Sequence, residues 1–164
     1  MRLSKGKKIS APVFIGESAS KDKWLNLEVL DCVYEGEHYN IYRCIDDNGI
    51  HVCIKVIRYR SEKKDVFASA KDYILYRRKL LFAEHRLLSL THPCLPAPIA
   101  MLCLKNDTAE DKKLFRSVPE WESLMLEEPA FVQEYFSGSS LDRCSGLTSF
   151  SIQKRMAIID KVAK

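Results

Sequence analysis

A single lysine inside an apolar run constrains this chain more than any other feature. In Val52-Cys53-Ile54-Lys55-Val56-Ile57 both faces of a strand would be apolar except at Lys55. An ammonium buried there without a partner costs several kcal/mol or is forced neutral. Lys55 must therefore reach an edge by its long stem or meet an anion. The plainer alternative is an edge-strand lysine that deters aggregation.

Glu84 poses the mirror problem. It lies in a helical pattern with Leu80 and Leu81 at i−4 and i−3 and Leu87 and Leu88 at i+3 and i+4, so its carboxylate projects from an apolar face. If that helix packs on the sheet, the two charges satisfy one another, and the paired ammonium can bind phosphate oxygens.

Periodicity organises the rest. Trp24 to Val33 alternates apolar and polar residues as a half-buried strand does, and Asn40 to Ile45 and His51 to Tyr59 follow as two more. Asp46-Asp47-Asn48-Gly49 is a tight-turn sequence between the latter two, which makes the three an antiparallel meander. From Lys63 to Leu90 the period becomes helical, with Phe67, Ala70, Ile74, Leu81 and Leu88 on one face, and His92-Pro93 ends it. Ile99 to Leu104 and Ala130 to Phe136 are the fourth and fifth strands.

Two stretches carry less pattern. Residues 1–23 are rich in Lys, Ser, Gly and Ala and read as a poorly ordered lead-in. The charged segment 105–128 reads as a loop insertion with room for a short helix near Trp121. The basic run Arg77-Arg78-Lys79 reads as a solvated helix face. Ile152, Met156, Ile159 and Val162 form an amphipathic pattern that runs into Lys164 without a stop signal, so the functional polypeptide is expected to continue.

Composition excludes several classes. Twenty-six basic against 22 acidic residues give a formal charge of +4, a mixed surface rather than the basic field of a nucleic-acid binder. No apolar run approaches the roughly 18–20 residues that span a bilayer. The six cysteines stand singly, without a Cys-x-x-Cys pair or clustered histidines, so no metal site is expected and the thiols fit a reducing, cytoplasmic compartment.

Val52-Cys53-Ile54-Lys55 resembles the Val-Ala-Ile-Lys strand of protein kinases, whose lysine holds the nucleotide's α and β phosphates, with Glu84 as the partner glutamate. The order of elements agrees. Glu84 to Leu88 followed by His92-Pro93 is similar to the family's helix and His-Pro turn, and Gln133-Glu134-Tyr135-Phe136 with Gly138 and Leu141 resembles its fifth strand and interlobe hinge. The resemblance implies Lys55 and Glu84 as the catalytic pair, Gln133 as gatekeeper, backbone bonds to adenine from Glu134 and Phe136, and Ile41 with Cys53 as the adenine ceiling. It adds Val33 and Gly36 to the nucleotide-binding residues. Only Gly36 survives where the family's Gly-x-Gly-x-x-Gly loop should stand; Tyr34 and Tyr39 replace small residues that let backbone approach phosphate.

The resemblance therefore implies an α+β fold: a kinase-like small lobe over 24–136, with a five-stranded, mostly antiparallel sheet and one long helix, then a hinge and the start of a helical large lobe over 137–164. It implies an ATP-binding lobe of a serine/threonine-type kinase. The His-Arg-Asp and Asp-Phe-Gly motifs do not occur, so catalytic machinery, magnesium and any protein substrate belong to sequence beyond Lys164. The alternative is a pseudokinase-like scaffold in which Tyr34 and Tyr39 block nucleotide. Neither nucleic acid nor membrane is an expected partner.

Overall fold

The computed structural model describes residues 1–16, 18–60, 65–89 and 96–136. The hinge and large-lobe start expected over 137–164, and the His92-Pro93 stop, lie outside the described residues. Six strands and three helices follow one another: β1 (Lys8–Ile15), β2 (Ser18–Glu35), β3 (Tyr39–Asp46), β4 (His51–Ile57), α1 (Ala70–Leu88), β5 (Pro98–Leu104), α2 (Ala109–Phe115), α3 (Trp121–Leu126) and β6 (Glu128–Glu134). The fold is α+β. Every strand pair is antiparallel, in the order β1-β2-β3-β4-β6-β5, and Val13 of β1 pairs with Leu102 of β5 to close the sheet into a barrel.

The expected meander is β2-β3-β4. Its second turn works as the sequence implies: Gly49 takes a φ of +79°, and the Asp46 carboxylate accepts from the Ile50 and Asn48 amides at 2.8 and 2.9 Å. Those bonds, Ile50's first, hold the Asp46 carboxyl below its ordinary range.

The sheet has six strands where five were expected, and the additional one lies in the stretch read as a lead-in. β1 pairs with β2 from Lys8↔Glu28 to Ile15↔Ser18, turning at Gly16 with φ +65°. Ile9 and Ala11 point into the barrel, and Met1 and Leu3 are buried in the same core. Lysine, serine and proline between these positions mute the alternation, so the strand is specified by what it pairs with. β2 is likewise longer than the expected Trp24 to Val33. Register shifts at Val29/Asp31 and Cys32/Tyr34 break its period, and Trp24, an apolar residue of the alternating pattern, is 57% exposed.

Two apolar cores explain why β4 is apolar on both faces. Val52, Ile54 and Val56 fill the barrel interior with Leu27, Val29 and Leu102, whereas Ile57 faces outward and packs with Ile74, Leu81, Met101 and Phe131 between sheet and helices. Each fully buried side chain of this kind contributes about 1.5–3 kcal/mol. α1 is one helix, shorter than the expected 63–90. Ser69 caps it by accepting from the Asp72 amide at 3.1 Å, and its buried residues are Tyr73, Ile74, Arg77 and Leu81.

The insertion holds two short helices rather than one, because Leu114, Phe115, Val118 and Met125 all belong to the outer core. They are pinned by charge. Glu128, wholly buried, accepts from the Tyr59 hydroxyl at 2.7 Å and from Arg78 Nη2 at 2.6 Å, while Arg78 also donates to the Leu124 carbonyl. Nearby, buried Asp111 takes the Met1 ammonium at 2.8 Å and the Asn106 amide at 3.0 Å. Burial pushes the Glu128 carboxyl upward, and Arg78 and Tyr59 pull it back.

Arg78→Met is expected to destabilise the chain by about 3–5 kcal/mol in urea unfolding, since it strands a buried carboxylate, and Arg78→Met with Glu128→Leu should recover much of the loss. In the single variant the folded pKa of Glu128 lies above its unfolded value of about 4.3. The native state then holds more protons than the unfolded one, so the variant's stability should fall further as pH rises from that value through the raised pKa.

Candidate functional site

Strand alternation puts Cys53, Lys55 and Ile57 on the outer face of β4, toward α1. The register adds neighbours. Lys55 lies between Ile41 on β3 and Phe131 on β6, and Cys53 between Arg43 and Gln133, so Ile41, Cys53, Lys55 and Gln133 share one face. Glu84 arrives from α1, which packs on β4, β5 and β6.

Lys55 and Glu84 meet as the sequence implied. Lys55 Nζ donates to both carboxylate oxygens, at 2.6 and 2.8 Å, with the lysine side chain 15% and the glutamate 33% exposed. An ammonium has three donors, and Glu84 occupies two. Beyond it, the Tyr39 ring centroid lies 4.4 Å from Nζ. Burial pushes the Tyr39 phenol upward; Arg77 opposes this and Glu84 adds to it.

Arg77 is the residue that sequence reading missed. It is 4% exposed rather than solvated, its guanidinium carbon lies 4.8 Å from the Tyr39 centroid, and Nη2 donates to the His38 carbonyl at 2.9 Å. Arg78 is half-buried, with its side chain 11% exposed, whereas Lys79 is exposed. The signal was present: Arg77 stands three residues after Ile74 and four before Leu81, on the face that buries both.

The β2–β3 hairpin stands over this cluster. Arg58 Nη1 donates to the Gly36 carbonyl at 3.1 Å, and the Gly36 amide donates to the Tyr39 carbonyl at 2.9 Å. The Tyr34 ring lies so close to Gly36 that an added Cβ would collide with its ring carbons. Gly36 is therefore covered by its own neighbour, and its amide is engaged.

The remaining expected positions are spread along the sheet. Val33 is 37% exposed on β2, and Phe136, the last described residue, is 59% exposed. The Glu134 amide donates to the Ala97 carbonyl at 3.0 Å, and its carboxylate accepts the Ala97 amide at the same distance. Gln133 is half-buried, with Oε1 buried and without a hydrogen-bond partner. Tyr135 faces Arg43 and His51, with Arg43 held by Asp31 at 2.7 Å. His85 stacks edge-on against Phe131 at 5.4 Å, and burial lowers its pKa.

Among the described residues no group of three or more His, Cys, Asp or Glu could hold a metal ion, and no helix is long and apolar enough to cross a membrane. The chain matches no protein-family model, and no curated protein matches it.

The Lys55–Glu84 pair is partly exposed, so its coupling should be modest. A double-mutant cycle of Lys55→Met and Glu84→Gln, read by urea unfolding, should give about 1 kcal/mol of interaction energy that shrinks with added salt. A coupling of zero would mean that helix and sheet do not meet at this pair in solution.

Proposed function

We propose that this chain is the ATP-binding small lobe of a protein-kinase-like domain, part of a serine/threonine-type kinase whose catalytic machinery lies beyond it. The observation that carries the reading is the bidentate contact between Lys55 on the third strand of the meander and Glu84 on the following helix. In protein kinases the corresponding lysine pairs with the nucleotide's α and β phosphates, and its ion pair with the glutamate must be in place in the active state. Glu84 fixes the ammonium, and its remaining donor is available to a phosphate oxygen.

The same sheet face supports a place for the base. Ile41 and Cys53 offer an apolar surface beside Lys55, and Gln133 brings an acceptor without a partner. Engagement of the Glu134 amide by Ala97 narrows what that residue can offer an adenine to its other backbone group. For magnesium the described residues do not fit: Glu84 is engaged through both oxygens and no other cluster of ligands stands near. The reading therefore ends at nucleotide binding and includes no transfer step.

A second reading has its own observation. The Tyr39 ring already lies against Lys55, which favours a scaffold with weak or no nucleotide binding. A thermal-shift titration with ATP separates the two. The nucleotide reading expects a concentration-dependent rise in Tm, equivalent to about 2.7 kcal/mol at a hundredfold excess over Kd, that is lost in Lys55→Ala. No rise in either chain, with both folded by circular dichroism, would favour the scaffold reading or mean that nucleotide binding needs the large lobe as well.

A further inference from the structure

We propose that Lys55 and Arg77 form a two-cation subsite for a polyphosphate, and that the Tyr39 ring is its resident occupant, displaced when the anion binds. The inference rests on the nucleotide reading and adds to it a second phosphate-binding residue and a built-in competitor.

Arg77 carries the argument. A guanidinium that is 96% removed from solvent ordinarily has a carboxylate beside it. None of the ion pairs among the described residues includes Arg77. Its Nη2 has one neutral acceptor, the His38 carbonyl, and its Nε has none. Further compensation comes from the Tyr39 ring, whose centroid lies 4.8 Å from the Arg77 guanidinium carbon and 4.4 Å from Lys55 Nζ. Two cations converge on one aromatic ring, and one carboxylate, Glu84, is engaged by only one of them. This is a site with surplus positive charge filled by a neutral group.

Phosphate suits the surplus better than the ring does. A guanidinium presents paired donors that match two phosphate oxygens, and ion-to-ion hydrogen bonds are about twice as strong as neutral ones. A ring in the same place offers only its quadrupole. Displacement does not require the hairpin to unfold. Its main chain stays tied through Arg58 to Gly36 and through the Gly36 amide to Tyr39, so that displacement asks only for a rotamer change that lifts the half-buried Tyr39 ring from the edge of the outer core. A structural role for Arg77, tethering His38, predicts no selective effect on phosphate ligands.

The test uses the chain as it stands, with isothermal titration of ATP, inorganic tripolyphosphate and adenosine. Removing the ring by Tyr39→Ala, or by Tyr39→Val should the alanine chain fail to fold, is expected to tighten ATP and tripolyphosphate roughly tenfold and leave adenosine unchanged. Adding Arg77→Gln in that background should weaken both phosphate ligands roughly tenfold, again sparing adenosine. Unchanged or weaker phosphate binding after ring removal, alongside Lys55-dependent ATP binding by the parent chain, would overturn the inference and leave the nucleotide reading standing. Equal losses for adenosine and tripolyphosphate in Arg77→Gln would also overturn it, by making Arg77 a structural tether. Failure of all three ligands to bind any folded variant would overturn both.

Discussion

The contact between Lys55 and Glu84 is the constraint on which the arrangement of sheet and helix turns. β4 is apolar on both faces because one face fills a barrel and the other meets α1, and Lys55 is the polar exception on the helix side. Without Glu84 directly above it, that position would hold an uncompensated charge at a packed interface. The pair adds to the buried Tyr73, Ile74 and Leu81 in setting the rotation of α1, since a helix turned by one residue would carry the carboxylate about 100° away. That rotation also decides that Arg77, two turns earlier on the same face, points inward beneath the β2–β3 hairpin.

Burial of charge recurs as the means by which the molecule joins its parts. Arg78, one residue along from Arg77, locks Glu128 and the Leu124 carbonyl and so holds α3 and the start of β6 to α1. Tyr59 completes that network from the chain just past β4. The three centres differ in compensation. Glu128 has two strong donors, Lys55 has a full carboxylate, and Arg77 has a carbonyl and an aromatic face. The least compensated group is the one that stands under the hairpin, at the place that the proposed function assigns to the phosphates.

Local pattern made part of this legible. The strands β3, β4 and β6 announce themselves through branched and aromatic residues, and Asn48-Gly49 specifies its turn because few other residues accept positive φ. Lys55 and Glu84 could be paired from sequence because each violates an otherwise apolar surface. β1 could not be found in this way. Its inward residues, Ile9 and Ala11, are separated by polar ones and are stabilised by pairing with β2 and β5, which local periodicity does not encode. The insertion hid its helices because Leu114, Phe115, Val118 and Met125 serve a distant core rather than one continuous stripe. Arg77 was misread for a different reason: its charge suggested solvent while its helical phase pointed to the interior. At the hairpin, the loss of glycines was visible in sequence, but the ring of Tyr39 lying on two cations depends on tertiary contacts alone.

The central claim is that Lys55 belongs to a nucleotide-phosphate site. The direct measurement is labelling with an acyl-phosphate derivative of ATP, whose acyl group passes to a lysine amine near the bound phosphates, followed by peptide mapping. The account predicts that Lys55 is acylated ahead of exposed lysines such as Lys79 and Lys105, and that free ATP suppresses this labelling alone. Labelling that falls on the exposed lysines and spares Lys55, or labelling of Lys55 that ATP leaves unchanged, would contradict it.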